Sequence, residues 1–209
     1  MKNFYFHFEE FKPFLKKGLA EKITKYDYRN LKQVLLLPTL SEQEKGFINT
    51  LKSFSEAYTK NKFIGKKFNA SSQADIIAHF KNVAYDLKRE TVHAIFLNAK
   101  NKIFDNMLLC EGTITQSILY VREIIKACID KGALSIVIIH NHPSGDPAPS
   151  ENDRKVTRKL LFATKEVDIT LLDHIIIGQE GKGYFSFYEE GLMERYNGTY
   201  RSLLENQEL

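Results

Sequence analysis

Leu134-Ser135-Ile136-Val137-Ile138-Ile139-His140-Asn141-His142-Pro143-Ser144-Gly145-Asp146-Pro147-Ala148-Pro149-Ser150-Glu151-Asn152-Asp153 is the stretch on which the reading turns. Residues 134–140 form a nearly continuous apolar run, the mark of a strand buried on both faces. A loop with three prolines comes next. Ser150, with Asp153 three residues on, resembles a capping box that opens a helix, in which Val156, Leu160, Ala163 and Val167 are expected to face the core. Side chains at i and i+2 of a strand point to the same side. His140 and His142 can therefore present two imidazoles to one ion at the strand's end, and Pro143 biases His142 towards extended geometry. Asp153 falls in the first turn of the helix, and the intervening loop lets its carboxylate return to the same point. Two histidines, one carboxylate and a water complete the tetrahedral shell of a catalytic zinc site with one open position. Asp146 is the rival carboxylate, but in a Gly-Asp-Pro turn an aspartate commonly serves the backbone.

The flanking segments supply the rest of a domain. ETVHAIFLN (90–98) and KIFDNMLLCEG (102–112) have strand composition and are joined by a polar turn, which predicts a hairpin. Residues 117–133 predict an amphipathic helix: Ile118, Val121, Ile124, Ile125 and Cys128 share a face, and Gly132 marks its stop. ITLLDHIIIG (169–178) reads as another buried strand and YFSF (184–187) as a short last one; the residues after it read as a helix or tail. This order predicts an α/β domain, a mixed sheet flanked by helices. Upstream, Ser41 and Glu44 suit a capping box before a helix with the stripe Phe47, Leu51, Phe54, Ala57 and Tyr58. Residues 61–72 look like a linker or turn. Ser71 or Ser72 is expected to cap a second helix, with Ile76, Ile77, Phe80, Val83, Ala84 and Leu87 on one face.

The chain has 209 residues, 43% hydrophobic and 27% charged, which excludes disordered, collagenous and disulfide-scaffold classes. No apolar run reaches the roughly 18 residues of a spanning helix. The acids in MKNFYFHFEEFKPF argue against a secretory signal. Cys110 and Cys128 form no CxxC pair and read as reduced core residues. The expectation is a cytoplasmic protein that does not engage a membrane. Residues 1–67 hold 14 Lys/Arg against 7 Asp/Glu, whereas 68–209 hold 16 against 19. This asymmetry suggests a basic, mainly helical N-terminal region (1–67) and a separate domain (68–209). A basic front could meet nucleic acid or an acidic partner.

A zinc-bound water needs a base, and the residues alone select none among the 19 acids after residue 67. HxHPSGD, followed by PS and by an Asp ten residues after the second His, resembles the metal motif of the JAB/MPN (JAMM) metalloprotease superfamily. The run from about Lys88 to Leu192, the core of the domain (88–192), resembles the RadC family more closely. The matching segments are RE (89–90), FLNAKNKI (96–103), EGTIT (111–115), VREIIKACIDKGA (121–133), IIHNHPSGDPAPSENDRKVT (138–157), LLDHIIIG (171–178) and SF…EEGL (186–192). The resemblance implies a zinc hydrolase of peptide or isopeptide bonds on a cytidine-deaminase-like sheet, with a protein or peptide as substrate. By matching positions, His140, His142 and Asp153 would be the zinc ligands, Glu90 the general base and Ser144 the support for the tetrahedral intermediate. Glu111, before Gly112 near a strand end, is the alternative base. Asp173 or a loop carbonyl is expected to accept the second N–H of a ligand histidine, and Asp173-His174 is otherwise expected to be structural.

The RadC family has also carried a DNA-repair label, so the alternative function is a DNA-associated protein that contacts nucleic acid through the basic front. Residues 1–67 lack the helix-hairpin-helix glycine turn that family members commonly carry there. A scaffold role is disfavoured by the intact His140, His142, Asp153 and Glu90. Nucleobase deamination is set aside because HxE with PCxxC is absent.

Overall fold

The structure is a computed structural model that describes residues 15, 17–25, 35, 37–84, 90–111, 117–178 and 183–206. The chain divides into two compact units, residues 1–63 with 73–86, and residues 64–72 with 87–209.

The first unit contains α1 (Lys17–Lys25), α2 (Glu42–Phe63) and most of α3 (Ala70–Ala84). Ser41 and Glu44 form the expected reciprocal cap: Glu44 Oε2 accepts from the Ser41 N–H at 2.8 Å, and Ser41 Oγ accepts from the Glu44 N–H at 3.3 Å. Of the apolar stripe expected on α2, Leu51 is half-buried and packs against the core of this unit, but the rest of the face differs. Phe47, Phe54 and Tyr58 are exposed, whereas Ile48 is buried with Leu19, Leu37 and Leu40. Phe63, at the end of α2, packs against His79 and Phe80 of α3. Ile76, Ile77 and Phe80 are buried as expected; the side chains of Val83 and Ala84, and Leu87 as a whole, lie outside the described residues. The cap of α3 is Asn69 rather than a serine. Its Oδ1 accepts from the Ser72 N–H at 3.2 Å and Ser72 Oγ accepts from the Asn69 N–H at 2.8 Å, so Ser72 is the reciprocating third residue.

The second unit is built on a five-stranded mixed sheet of order β2-β1-β3-β4-β5. Its strands are β1 (Thr91–Leu97), β2 (Ile103–Glu111), β3 (Ser135–Asn141), β4 (Thr170–Ile177) and β5 (Tyr184–Ser186). β1 runs antiparallel to β2 and to β3, β3 parallel to β4, and β4 antiparallel to β5. Every residue of β3 is buried, as its nearly continuous apolar run predicts, and so is every residue of β1, Thr91 and His93 included. The helices α4 (Ser117–Lys131), α5 (Glu151–Lys165) and α6 (Leu192–Glu205) share one core with the sheet. It joins Val92, Ala94 and Phe96 of β1, Ile136 and Ile138 of β3, Val121, Ile124 and Cys128 of α4, and Val156 and Leu160 of α5. Val167 is exposed, because α5 stops at Lys165. Among the described residues, no helix is long and apolar enough to cross a membrane.

Candidate metal centre

Strand parity and register bring the site together. His140 alternates with Ile136 and Ile138, so it points to the helix-covered face, and it pairs with Val92 of β1. Glu90, just before β1, shares the parity of Val92. Continuing the antiparallel register past the strand ends sets Glu90 across from His142. Asp153 arrives from α5 because Ser150 caps that helix. Ser150 Oγ accepts from the Asp153 N–H at 3.1 Å, and Asp153 Oδ2 accepts from the Ser150 N–H at 2.7 Å. One carboxylate thus closes the capping box and faces the strand's end, where the helix N-terminus favours its charge.

Ligand atoms of Glu90, His140, His142 and Asp153 all lie within 4.8 Å of one another, and the four together could hold a metal ion. The two Nε2 atoms are 3.0 Å apart; Asp153 Oδ1 is 3.4 Å from His140 Nε2 and Asp153 Oδ2 is 3.4 Å from His142 Nε2. Glu90 Oε1 is 3.7 Å from His140 Nε2. His142 Nδ1 is 2.7 Å from the Asp146 carbonyl, which can only accept. Nδ1 therefore carries the hydrogen, and Nε2 keeps its lone pair towards the cluster. Neutral imidazole nitrogen and carboxylate oxygen, convergent, with His140 and Asp153 buried and Glu90 and His142 half-buried, are the donor set of a divalent cation such as zinc.

The electrostatics agree with this convergence. Burial, with His174 beside it, holds the His140 imidazole well below the usual histidine value despite Asp153. Burial alone would lower His142, but Asp153, the Asp146 carbonyl and Glu90 outweigh it and raise its pKa. Burial works to raise the Asp153 carboxyl, yet His142, His140 and Ser150 hold it far below the usual carboxylate range.

The remaining expected residues fall outside the cluster. Ser144 is exposed in the loop, and its Oγ accepts from the Asp146 N–H at 3.4 Å. Asp146 is the turn residue the sequence suggested, its Oδ1 accepting from the Ala148 N–H at 3.0 Å. Glu111 is exposed at the end of β2, in register with Thr91. Asp173 does not accept from a cluster histidine, because its parity turns it to the opposite face. There it accepts from the N–H groups of His174 and Tyr188 and from the Ser186 hydroxyl. His174, expected to be structural, instead reaches the site: its Nε2 lies 2.8 Å from His140 Nδ1. Parity was the available signal, since His174 pairs with Ile138, two residues from His140 on the same face. Burial pushes His174 down to about 4, so it is neutral near pH 7.

The same segment carries the likeness to known proteins. The family model of the RadC-like JAB domain matches residues 70–192, more than half of the chain. The chain belongs to the RadC-like JAB domain family. Its four clustered residues all lie within the matched RadC-like segment. A UPF0758 protein of Symbiobacterium thermophilum is 46% identical over 107 residues, which cover 51% of this chain and 45% of that protein. One from Trichlorobacter lovleyi is 38% identical over 139 residues, covering 62% and 60% respectively. One from Caldanaerobacter subterraneus is 39% identical over 129 residues, covering 59% and 55%. The chain spans about half the length of these curated relatives.

Proposed function

We propose that the chain is a zinc-dependent hydrolase of peptide or isopeptide bonds. The observation that carries this reading is the convergence of Glu90, His140, His142 and Asp153 within 4.8 Å at the end of β3. His140, His142 and Asp153 would hold the ion. When bound, the ion supplies Lewis acidity that brings the pKa of water from about 15.7 towards about 7.

The protein's own residues do the rest. The Glu90 carboxylate accepts a proton from the attacking water and returns it to the leaving amine, work typically worth ~10²–10⁴ in rate. The Ser144 hydroxyl receives the Asp146 N–H on its oxygen, which leaves its proton to donate to the carbonyl oxygen as charge builds there. Asp146 acts through its backbone, orienting His142, and its side chain fixes the turn that carries Ser144. A protein or peptide substrate is the fitting class, and a cytoplasmic setting suits the reduced Cys110 and Cys128.

The test is a peptide-library cleavage assay on the zinc-loaded chain beside Glu90→Gln. Zinc-dependent cleavage by the wild type, with a loss of at least about a hundredfold in Glu90→Gln at unchanged zinc content, is expected. Full activity of Glu90→Gln would reject Glu90 as the base, and cleavage unaffected by chelation would reject the zinc reading.

A further inference from the structure

Behind His140 runs a buried polar chain whose direction a single backbone atom decides. His140 Nδ1 lies 2.8 Å from His174 Nε2, His174 Nδ1 lies 2.6 Å from Thr157 Oγ1, and Thr157 Oγ1 lies 2.6 Å from the Asp153 carbonyl oxygen. His140, His174 and Thr157 are each at most 2% exposed. The Asp153 carbonyl has no proton to give, so the one hydroxyl proton of Thr157 must point at it. Thr157 Oγ1 can then only accept from His174, and His174 Nδ1 carries the hydrogen. His174 Nε2 is left with a lone pair, which requires His140 Nδ1 to be the donor. The last consequence falls on the cluster: His140 Nε2 bears no hydrogen and aims its lone pair at Asp153, His142 and Glu90. The reverse direction would set two proton-free oxygens 2.6 Å apart, at Thr157 and Asp153.

We propose that His174 and Thr157 are positioning residues that hold His140 in the Nδ1–H tautomer and so set the affinity of the cluster for its metal. The affinity claim rests on the reading of the cluster as a zinc site; the tautomer claim does not. Thr157 sits one helical turn after Asp153, so a single turn of α5 supplies both a carboxylate and the anchor for the opposite histidine. The arrangement also separates positioning from packing. The His174 ring stacks on Phe187 at 5.1 Å between centroids and 12° between planes. A phenylalanine at 174 preserves that stacking but accepts no hydrogen bond. A glutamine loses the ring but can offer a carbonyl oxygen near the place of Nε2.

The experiment compares the full chain with His174→Phe, His174→Gln, Thr157→Val and Thr157→Ser. Zinc affinity is measured by competition with a chromophoric chelator, and histidine tautomers are read in the metal-free proteins by long-range ¹H–¹⁵N NMR. Near neutral pH the wild type is expected to show Nδ1–H tautomers at His140 and His174. His174→Phe and Thr157→Val should bind zinc about 10–100-fold more weakly, the usual effect of losing such a partner, with His174→Gln and Thr157→Ser within about threefold of wild type. Thr157→Val should also shift His140 towards the Nε2–H form. A role in packing alone predicts the opposite order at 174, with Phe retained and Gln impaired, and that result overturns the proposal. Should His174→Phe fail to fold, the near-isosteric Thr157→Val decides: wild-type affinity with an unchanged His140 tautomer overturns it equally. A wild-type chain that binds no zinc overturns the metal reading and the affinity claim, while an Nε2–H signal from wild-type His140 overturns the tautomer claim by itself.

Discussion

Gly178→Ala tests whether the loop after β3 is held against β4 as tightly as the metal centre requires. Gly178 comes directly after β4, and a Cβ built on it would lie 2.6 Å from the Gly145 carbonyl oxygen and 2.9 Å from Pro147 Cδ. Neither atom is the free end of a flexible side chain. Moving the Gly145 oxygen from 2.6 Å to the 3.4 Å of ordinary contact displaces the loop by about 0.8 Å. Asp146 lies between those two contacts, and its carbonyl holds His142 Nδ1 at 2.7 Å. A displacement of that size lengthens the bond past hydrogen-bonding distance and frees the His142 ring to turn. Overpacking of this kind costs about 1–3 kcal/mol, and loss of the partner of a ligand histidine costs about 10–100-fold in metal affinity. Urea unfolding of the metal-free chain reads the first quantity and chelator competition the second. Gly178→Ala with wild-type stability and wild-type zinc affinity would refute the coupling of β4 to the loop.

Other expectations concern buried polar groups. Burial pushes the Asp173 carboxyl from 3.8 up to about 6, against the donors Ser186, Tyr188 and His174. A proton held more tightly in the folded chain stabilises it fully below about 3.8, and that contribution is lost as pH rises through about 6. The unfolding free energy of the wild type should therefore fall by roughly 2–3 kcal/mol relative to Asp173→Asn between pH 4 and pH 7; parallel urea-derived profiles would contradict this. Asn141 Oδ1 accepts from both the N–H and the hydroxyl of Thr91, at 2.8 and 2.7 Å, which ties the start of β1 next to Glu90 to the strand bearing the histidines. Asn141→Ala should cost about 2–4 kcal/mol in thermal or urea unfolding, and Asn141→Asp, which keeps the acceptor, clearly less. His142 is raised above 6.5 in the metal-free chain, so protons compete with zinc for its Nε2 as pH falls through that raised value. Calorimetry at several pH values should show affinity dropping about tenfold per pH unit below it, with proton release on binding; an affinity flat from pH 5 to pH 8 would count against His142 as a ligand.

Much of the centre is legible in spacing. The i, i+2 pair His140 and His142 at the end of an apolar strand, and Asp153 at the third position after Ser150, each follow from one local rule, and the structure brings them together. Glu90 is of another kind: only the register of β1 against β3 sets it across from His142, and no local pattern contains that register. Residue chemistry leaves the acceptor for a ligand histidine open between Asp173 and a loop carbonyl, and the Asp146 carbonyl of the loop takes that place for His142. Alternation along β4 turns Asp173 away and His174 inward. On α2, Phe47 and Phe54 give an apolar period, yet both are exposed while Ile48 is buried and Leu51 packs beside it, because periodicity reports a face without saying what covers it. Ser72 is not the cap of α3 but the reciprocating residue of an Asn69 cap, a three-residue shift within one motif.

Anomalous scattering at the zinc edge from crystals of the zinc-loaded chain measures the central claim most directly. The account predicts one strong peak at about 2.0–2.2 Å from His140 Nε2, His142 Nε2 and an Asp153 carboxylate oxygen. Zinc ordered elsewhere while those three side chains stay unliganded, or no peak among them at saturating zinc, would contradict it.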